Sequence, residues 1–324
     1  MSDAVFLREQ TPHKITVQSA ASAGEMRQGP DGRAVYLKST STGAAAGDAN
    51  VNFYDSGQVT VTKTTGMVFL DGGRVYWDYS ASKAHYKQVD DQDFFIGTSV
   101  GDAASADTTM TVKLNVNQSR KIDLLQDAFS TTIVGTQALG GLALNRRGLA
   151  LNKVLNATNE AQKLDALSKD GFAIGANAII EMMFNVISDG AGTVVDFSLG
   201  VASGTNATDA DSITKHMFVH LDANVTAIKM QSKDGTTTVA ATDTTTVYTE
   251  GAGNANRVEV WFDFRAPADV QAYVNGVNVL PATVFDMSGV GATTLYLLSH
   301  VEKTASTDTY EIDVEACFAR TAKQ

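Results

Sequence analysis

Apolar and polar residues alternate along most of the C-terminal two thirds of the chain, which is the period-two pattern of β-strands. In "TYEIDVEACF" the alternation predicts one apolar face, formed by Tyr310, Ile312, Val314, Ala316 and Phe318. Similar alternation occurs in "RVEVWFDF", "IIEMMFNV" and "VVDFSLGV". Because each run would bury one face and expose the other, the pattern predicts a sandwich of two antiparallel sheets. In "RVEVWFDF" it places Glu259, Trp261 and Asp263 on the solvent face.

Turn signals separate these runs. The pair Asn275–Gly276 tolerates positive φ at both positions and predicts a type I′ hairpin, and Asp234–Gly235 suggests the same turn. The segment 159–171 fits either a short helix that ends at Gly171 or an edge strand. Helical signals are otherwise weak, so the chain is predicted to be all-β.

The first third has shorter strands, separated by the small-residue tracts "STSTGAAAGDAN" and "VGDAASADTT". We therefore expect a small β domain over residues 1–116 and a β-sandwich over 117–324. The stretch "GGRVYWDYS" begins with a turn at Gly72 and Gly73. Beyond it, the alternation points Val75 and Trp77 to one side and Tyr76 and Asp78 to the other. This split favours a hairpin with Trp77 in a small core over an aromatic surface on which a sugar or base would stack.

The segment Thr64 to Asn115 resembles phage capsid cement proteins. The shared features are "GGRVYWD" with its Gly72, Gly73, Val75, Tyr76, Trp77 and Asp78, the tract Ile96 to Val100, a small-residue loop, and a closing strand Val112 to Leu114. The resemblance implies a structural virion protein, made in the host cytoplasm, that decorates the outer capsid surface. It also implies binding to the major capsid protein and a homotrimeric state.

The second domain resembles a concanavalin A-like or laminin-G-like jelly roll, on the basis of "VEVWFDFRAPADVQAYVNGVNV" and the late strand "TYEIDVEACFA". This fold hosts sugar binding, adhesion and purely structural roles. The alternative function is therefore a carbohydrate-binding adhesin on the phage head, with Trp261 as the nearest candidate for a glycan contact. A tail or baseplate component is a third interpretation.

Charge and composition narrow the classes of partner. The net charge is −11, and no basic run exceeds the pair Arg146–Arg147, which argues against nucleic-acid binding. No apolar run approaches the length of about 20 residues needed to span a membrane, and we expect no membrane partner. The first ten residues lack a charged and then apolar leader, so we expect no secretion signal, and we expect the one cysteine, Cys317, to be a small packed residue.

The residues give little indication of catalysis. His216 and His220 alternate with apolar residues as on a strand, which places them about 13 Å apart and too far for one metal ion. Asp209 and Asp211 lie in a loop that lacks the glycine and the final glutamate of an EF-hand calcium-binding loop. The sequence has no nucleophile or phosphate-binding motif. We therefore expect no enzyme, no cofactor and no metal site.

The N-terminal residues "MSDAVFLREQTPHK" place Val5, Phe6 and Leu7 among polar neighbours. Such an arm could add a strand to an exposed sheet edge of the capsid protein. An ordinary frayed terminus is the alternative.

Overall fold

The computed structural model describes residues 13–37, 43–49, 51–136, 142–145, 148–190, 192 and 194–321. The chain divides into two compact units between Gln118 and Ser119. Both are built of antiparallel strands, and the described part of the second unit also has single-turn 3₁₀ helices at Ala210–Ser212 and Ser288–Val290. No helix in the described part of the chain is long and apolar enough to cross a bilayer. The predicted all-β fold class is confirmed.

The first unit contains two sheets. Its strands are β1 His13–Ile15, β2 Met26–Gln28, β3 Ala34–Leu37, β4 Val51–Tyr54, β5 Gln58–Thr62, β6 Arg74–Asp78, β7 Lys83–His85, β8 Phe94–Ser99 and β9 Thr109–Leu114. One sheet has the order β1-β4-β3-β2 and the other β5-β9-β8-β6-β7. The strand β1 lies at an edge and pairs only with β4 among the described strands.

The second unit is an antiparallel β-sandwich. Its strands are β10 Ile122–Asp123, β11 Phe129–Val134, β12 Leu142–Asn145, β13 Gly148–Leu155, β14 Glu160–Ala173, β15 Ala178–Ser188, β16 Val195–Ala202, β17 His216–Asp222, β18 Ala227–Lys233, β19 Thr238–Val247, β20 Val258–Asp263, β21 Gln271–Val274, β22 Val277–Asn278, β23 Thr294–Ser306 and β24 Tyr310–Thr321. Sheet I has the order β12-β13-β24-β15-β20-β21-β22, with β10 also paired to β24. Sheet II has the order β11-β14-β23-β16-β17-β18-β19.

One continuous apolar core fills the space between sheets I and II. It contains the inward residues that the alternation predicts, including Phe184 on β15, Phe197 on β16 and Phe262 on β20. Each of these side chains is fully buried. Removal of such area from water is the largest favourable contribution to the folding of a sandwich of this kind.

The apolar face predicted for "TYEIDVEACF" is wrong beyond Val314, because β24 contains a β-bulge. Met183 pairs with Ala316 and Phe184 with Val314, so Glu315 is an extra residue in the ladder. The bulge shifts the alternation by one position. As a result, Cys317 enters the main core, whereas Ala316 and Phe318 form a separate cluster with Met183.

The predicted solvent face of β20 is also wrong, because every residue of the strand is buried. Glu259 is 2% exposed and accepts a hydrogen bond from the indole of Trp261 at 2.8 Å. Asp263 accepts hydrogen bonds from Arg265. Both carboxylates are buried and hydrogen-bonded, by the buried Trp261 and by the partly exposed Arg265, and such pairing is the usual condition for burying a charge.

The two predicted turns differ in outcome. Asn275 and Gly276 have φ values of 51° and 77° and join strands that pair Val274 with Val277, as a type I′ hairpin requires. The second turn is longer, because Lys233 pairs with Thr238 across residues 234–237. There Asp234 accepts hydrogen bonds from the backbone of Thr236 and Thr237.

The undecided segment 159–171 lies in strand β14 from Glu160 onward. This strand pairs with β11 on one side and β23 on the other, so it is neither a helix nor an edge strand. Its register shifts between Leu167 and Gly171, and the irregularity obscures the period of two in the sequence.

In the first unit, Asn115 connects the two sheets. Its side-chain oxygen accepts from the backbone amide of Ala34 at 2.9 Å. Its amide group donates to the carbonyl oxygens of Ala34 at 2.8 Å and Asp55 at 2.5 Å. The residue has φ 52°, a left-handed conformation that asparagine tolerates better than most residues. A small domain with short strands depends strongly on such links.

In the second unit, Lys153 crosses the core from sheet I to sheet II. The side chain is fully buried, and its amine donates to the carbonyl oxygens of Leu164, at 2.9 Å, and Ser299. Burial lowers the pKa of Lys153 from 10.5 to about 7, against the opposing influence of Asp165. The lysine therefore links the sheets at an electrostatic cost near neutral pH.

Replacement of Asn115 by glycine tests the link in the first unit. Glycine keeps the positive φ but removes three hydrogen bonds, so we expect a loss of about 2–3 kcal/mol in the stability of this unit. The matched control is Asn224→Gly, because Asn224 has φ 57° in a turn and its side chain makes no hydrogen bond with the residues that the structure describes. Hydrogen exchange measured separately for each unit is the readout. Equal losses in the two variants would show that Asn115 acts through its backbone conformation alone.

Replacement of Lys153 by methionine tests the cost of the buried amine. Between pH 7 and 10.5 the unfolded chain holds the lysine proton more tightly than the folded chain. The wild-type free energy of unfolding should therefore gain up to about 1.4 kcal/mol per pH unit from this group as pH rises. The free energy of unfolding of the wild type, taken relative to that of Lys153→Met and measured by urea unfolding from pH 7 to 9, should rise by up to about 1.4 kcal/mol per pH unit. A constant difference would contradict the depressed pKa.

Candidate functional surfaces

The motif residues of the first unit form a β-hairpin. Val75 is fully buried and Trp77 is 7% exposed, whereas Tyr76 and Asp78 are half-buried on the other side of β6. β7 returns alongside, pairing Trp77 with Ala84. Gly72, with φ 75°, makes the turn before the strand, and Gly73 accepts a hydrogen bond from Ser99. The motif therefore builds a core and presents no aromatic stacking surface.

Two apolar residues near this hairpin are exposed, Tyr79 in the turn between β6 and β7 and Val89 after β7, and we call the two together the Tyr79–Val89 patch. Their side chains are 52% and 41% exposed. The backbone amides of both residues donate to the carboxylate of Asp93, at 3.0 Å and 2.8 Å. Asp93 is only 4% exposed, so one buried carboxylate holds both segments of the patch in place. The sequence alone gave no signal for this arrangement, because the two segments are ten residues apart.

Val5, Phe6 and Leu7, the apolar residues of the predicted arm, lie outside the described residues. The strand that follows them, β1, lies at a sheet edge. Trp261 lies in the second unit with 5% of its surface exposed and its ring 6.1 Å from that of Tyr273. This position gives no support to Trp261 as a glycan contact, because so little of the residue is accessible.

Two rows of polar side chains cross sheet II on the face opposite to the core, and we call them the polar rows. The first row runs through directly paired residues: Lys163, Glu302, Asp196 and Asp222. The second row lies beside it: Asp165, His300, Ser198, His220 and Lys229. Cross-strand neighbours on one face are about 5 Å apart, so these groups interact strongly.

The loop between β16 and β17 covers part of the polar rows. Ala210 and Ile213 pack with Phe218 and Leu298 in a small apolar cluster. Asn206 accepts a hydrogen bond from Lys163 through its backbone oxygen. This cover explains why polar residues of the rows are buried although they lie outside the main core.

His300 is the centre of a buried ionic group. Its Nδ1 lies 2.5 Å from Asp165, and its Nε2 lies 3.3 Å from Glu302, out of line for a hydrogen bond. Burial opposes protonation, but Asp165 and Glu302 together raise the pKa of His300 above its ordinary value. The Asp165 carboxylate also contacts Lys163 at 3.1 Å. This end of the rows is balanced in charge.

The other end of the rows brings together Asp196, His220 and Asp222, whose ligand atoms lie within 4.8 Å of one another. His220 Nε2 is 2.7 Å from Asp222, and Nδ1 is 3.1 Å from the Ser198 hydroxyl. Burial raises the pKa of Asp196, and the neighbouring carboxylates of Asp222 and Glu302 add to that effect against His220. In the sequence His220 stands near His216, whereas Asp196 lies on a different strand and carries no local signal of this meeting.

In the acidic loop that contains Asp209 and Asp211, Asp209 has a structural role. Asp209 caps the 3₁₀ turn by accepting from the backbone of Asp211 at 2.7 Å. Asp211 reaches toward the polar rows, 3.9 Å from His220. His216 is buried and stacks on Phe218 at 4.6 Å, away from any cluster of ligand type that the described residues form.

Comparison with solved structures finds distant β-rich domains. The Emp47p carbohydrate recognition domain is 12% identical with a TM-score of 0.40, covering 62% of this chain and 94% of that one. Alginate lyase A1-II′ of polysaccharide lyase family 7 is 10% identical with a TM-score of 0.36, covering 56% and 83%. The pseudo β-1,3-glucanase Rv0315 of Mycobacterium tuberculosis is 12% identical with a TM-score of 0.37, covering 60% and 91%. Similarity at this level carries no conclusion about ligands.

Comparison with protein families gives a specific result for the first unit. Residues 14–114 match the family described as phage cement protein. No curated protein matches the chain. The matched residues include the whole hairpin motif Gly72 to Asp78 and the Tyr79–Val89 patch. The first unit therefore matches the phage cement protein family, as the sequence resemblance implied, and is joined to an antiparallel β-sandwich.

Proposed function

We propose that this protein decorates and stabilises the outer surface of a tailed-phage capsid. The observation that carries the proposal is the match of residues 14–114 to phage cement proteins. The first unit binds the major capsid protein, and the sandwich projects outward from the capsid surface. The protein acts structurally, without catalysis. Its place is the exterior of the virion, after synthesis in the host cytoplasm.

Two features of the first unit suit attachment. The arm with Val5, Phe6 and Leu7 leads into the edge strand β1, so it can add a strand to a sheet edge of the capsid protein. The Tyr79–Val89 patch offers rigid apolar area, since Asp93 fixes both backbones. A preorganised patch loses little conformational entropy on binding, which favours affinity.

A homotrimer would strengthen both contacts. The three arms of one trimer would bind neighbouring capsid subunits together. Once one arm is bound, the high effective concentration of the other two raises the avidity by about 10² to 10⁴ over a single arm. If the protein binds the expanded shell better than the immature one, linkage stabilises the expanded state. The net charge of −11 helps to keep many copies on one surface from aggregating.

The alternative proposal is a carbohydrate-binding adhesin formed by the sandwich. Sugar binding of this kind commonly needs exposed aromatic rings, and among the described residues Tyr79 of the first unit is the strongly exposed aromatic side chain. Trp261 is buried. The structure therefore favours the capsid role. A glycan array probed with the full chain separates the two, since selective glycan retention would support the adhesin.

Deletion of residues 2–12 should lower occupancy on expanded, undecorated capsids. The deletion removes the arm and leaves β1 in place, so the fold of the first unit should persist. Occupancy is counted by cryo-electron microscopy, with circular dichroism as the control for folding. Equal occupancy with and without the arm would remove the arm from the mechanism. Failure of the full-length protein to bind any such capsid would overturn the capsid role itself.

The variant Tyr79→Ser tests the patch independently. Loss of an aromatic contact at the centre of an interface typically costs 1–2 kcal/mol, so the affinity for capsids should fall about tenfold. The matched control is Val247→Ser, an apolar side chain in the second unit that is 62% exposed. We expect wild-type binding from this control. Equal effects of the two substitutions would argue against a specific contact through Tyr79.

A further inference from the structure

Three carboxylates stand side by side in the first polar row. Asp196 on β16 pairs directly with Glu302 on β23 and with Asp222 on β17. Like charges directly opposite one another destabilise a sheet. The arrangement therefore calls for a compensating positive charge at Asp196, which occupies the middle position.

Protein cations compensate the two outer carboxylates. Lys229 contacts one oxygen of Asp222, and hydrogen bonds from Lys229 and His220 hold the pKa of Asp222 below its usual value despite burial. Glu302 lies 3.3 Å from the buried His300. Asp196, in contrast, makes no hydrogen bond or ion pair with any residue that the structure describes. The central carboxylate is thus the one that lacks a partner.

His220 completes a set of ligand type around this carboxylate. Its side chain is 6% exposed, and its Nδ1 lies 3.1 Å from the Ser198 hydroxyl. In the metal-free chain Nε2 donates to Asp222, and a cation would take the place of that proton. The ring would then carry its proton on Nδ1 and donate to the Ser198 hydroxyl. Metal-binding histidines are commonly oriented in this way through the second ring nitrogen. Lys229 holds one oxygen of Asp222 and leaves the other, 2.7 Å from Nε2, facing the same point.

We propose that Asp196, His220 and Asp222 bind a divalent transition-metal cation on the outer face of sheet II. The three ligand atoms lie within 4.8 Å of one another, so small side-chain rotations bring them onto one ion. A mixed set of imidazole and carboxylate suits Zn²⁺, Co²⁺ or Mn²⁺, whereas Ca²⁺ takes six to eight oxygen ligands. Water completes the coordination, because Asp222 remains 30% exposed.

The ion would join neighbouring strands and neutralise the row. Asp196 belongs to β16 and the other two ligands to β17, so the cation would fasten these strands below the covering loop. Asp211 in that loop, 3.9 Å from His220, adds a further negative charge nearby. The site is independent of capsid binding, and its test does not involve the capsid.

The test uses the full chain after removal of metal with EDTA. Titration calorimetry with Zn²⁺ near neutral pH should show one ion per chain, and Co²⁺ should give the visible absorption of a site with nitrogen and oxygen ligands. Asp196→Asn should weaken Zn²⁺ binding by at least about tenfold. The matched control Asp269→Asn removes an exposed carboxylate before β21 in sheet I and should bind like the wild type.

Thermal unfolding provides a second readout, in which Asp196→Asn should be more stable than the wild type without metal and less stabilised than the wild type with metal. Without metal, Asp196→Asn should raise the melting temperature, because it removes the central charge of three. With Zn²⁺, the wild type should gain stability and the variant should not. Unaltered Zn²⁺ affinity in Asp196→Asn, absence of any binding, or binding of Ca²⁺ in preference to Zn²⁺ would each overturn the proposal. If Asp196→Asn folds poorly, His220→Gln replaces it in the same comparison.

Discussion

The apolar layer between sheets I and II is the contact on which the other features of the second unit depend. Strands β23 and β24 are consecutive in the chain, yet they lie in the interior of opposite sheets. Leu297 on one and Ile312 on the other are both fully buried in the shared core. Because the connection between β23 and β24 joins the layers, burial of the core fixes both sheets at once and sets the register of the strands beside them.

That layer also tolerates an ionisable group at its centre. Lys153 reaches carbonyl oxygens of the opposite sheet instead of water, and its lowered pKa records the desolvation. A lysine in such a place connects the sheets through directed bonds that an apolar side chain cannot make. The link exists only because the core is already closed around it, so it adds geometric specificity to a structure that apolar burial stabilises.

The surfaces that carry the proposed functions depend on these cores for the positions of their residues. In the first unit, a buried carboxylate, Asp93, holds Tyr79 and Val89 in fixed positions on the outside. In the second, the pairing of β23, β16 and β17 places Glu302, Asp196 and Asp222 in one row. In both units the interior determines where the chemistry of the surface is placed. The capsid role relates to the first surface and the inferred cation site to the second.

The sequence by itself determined the all-β class, the inward faces of β15, β16 and β17, and the type I′ turn at Asn275–Gly276, because alternation and turn residues act over a few neighbours. It also carried the cement-family motif. Only the tertiary structure decided the bulge at Glu315, the burial of Trp261 and the meeting of Asp196 with His220. These features depend on strand register and on what covers the outer face of a sheet. Both are set by residues far apart in the chain, so no local pattern records them.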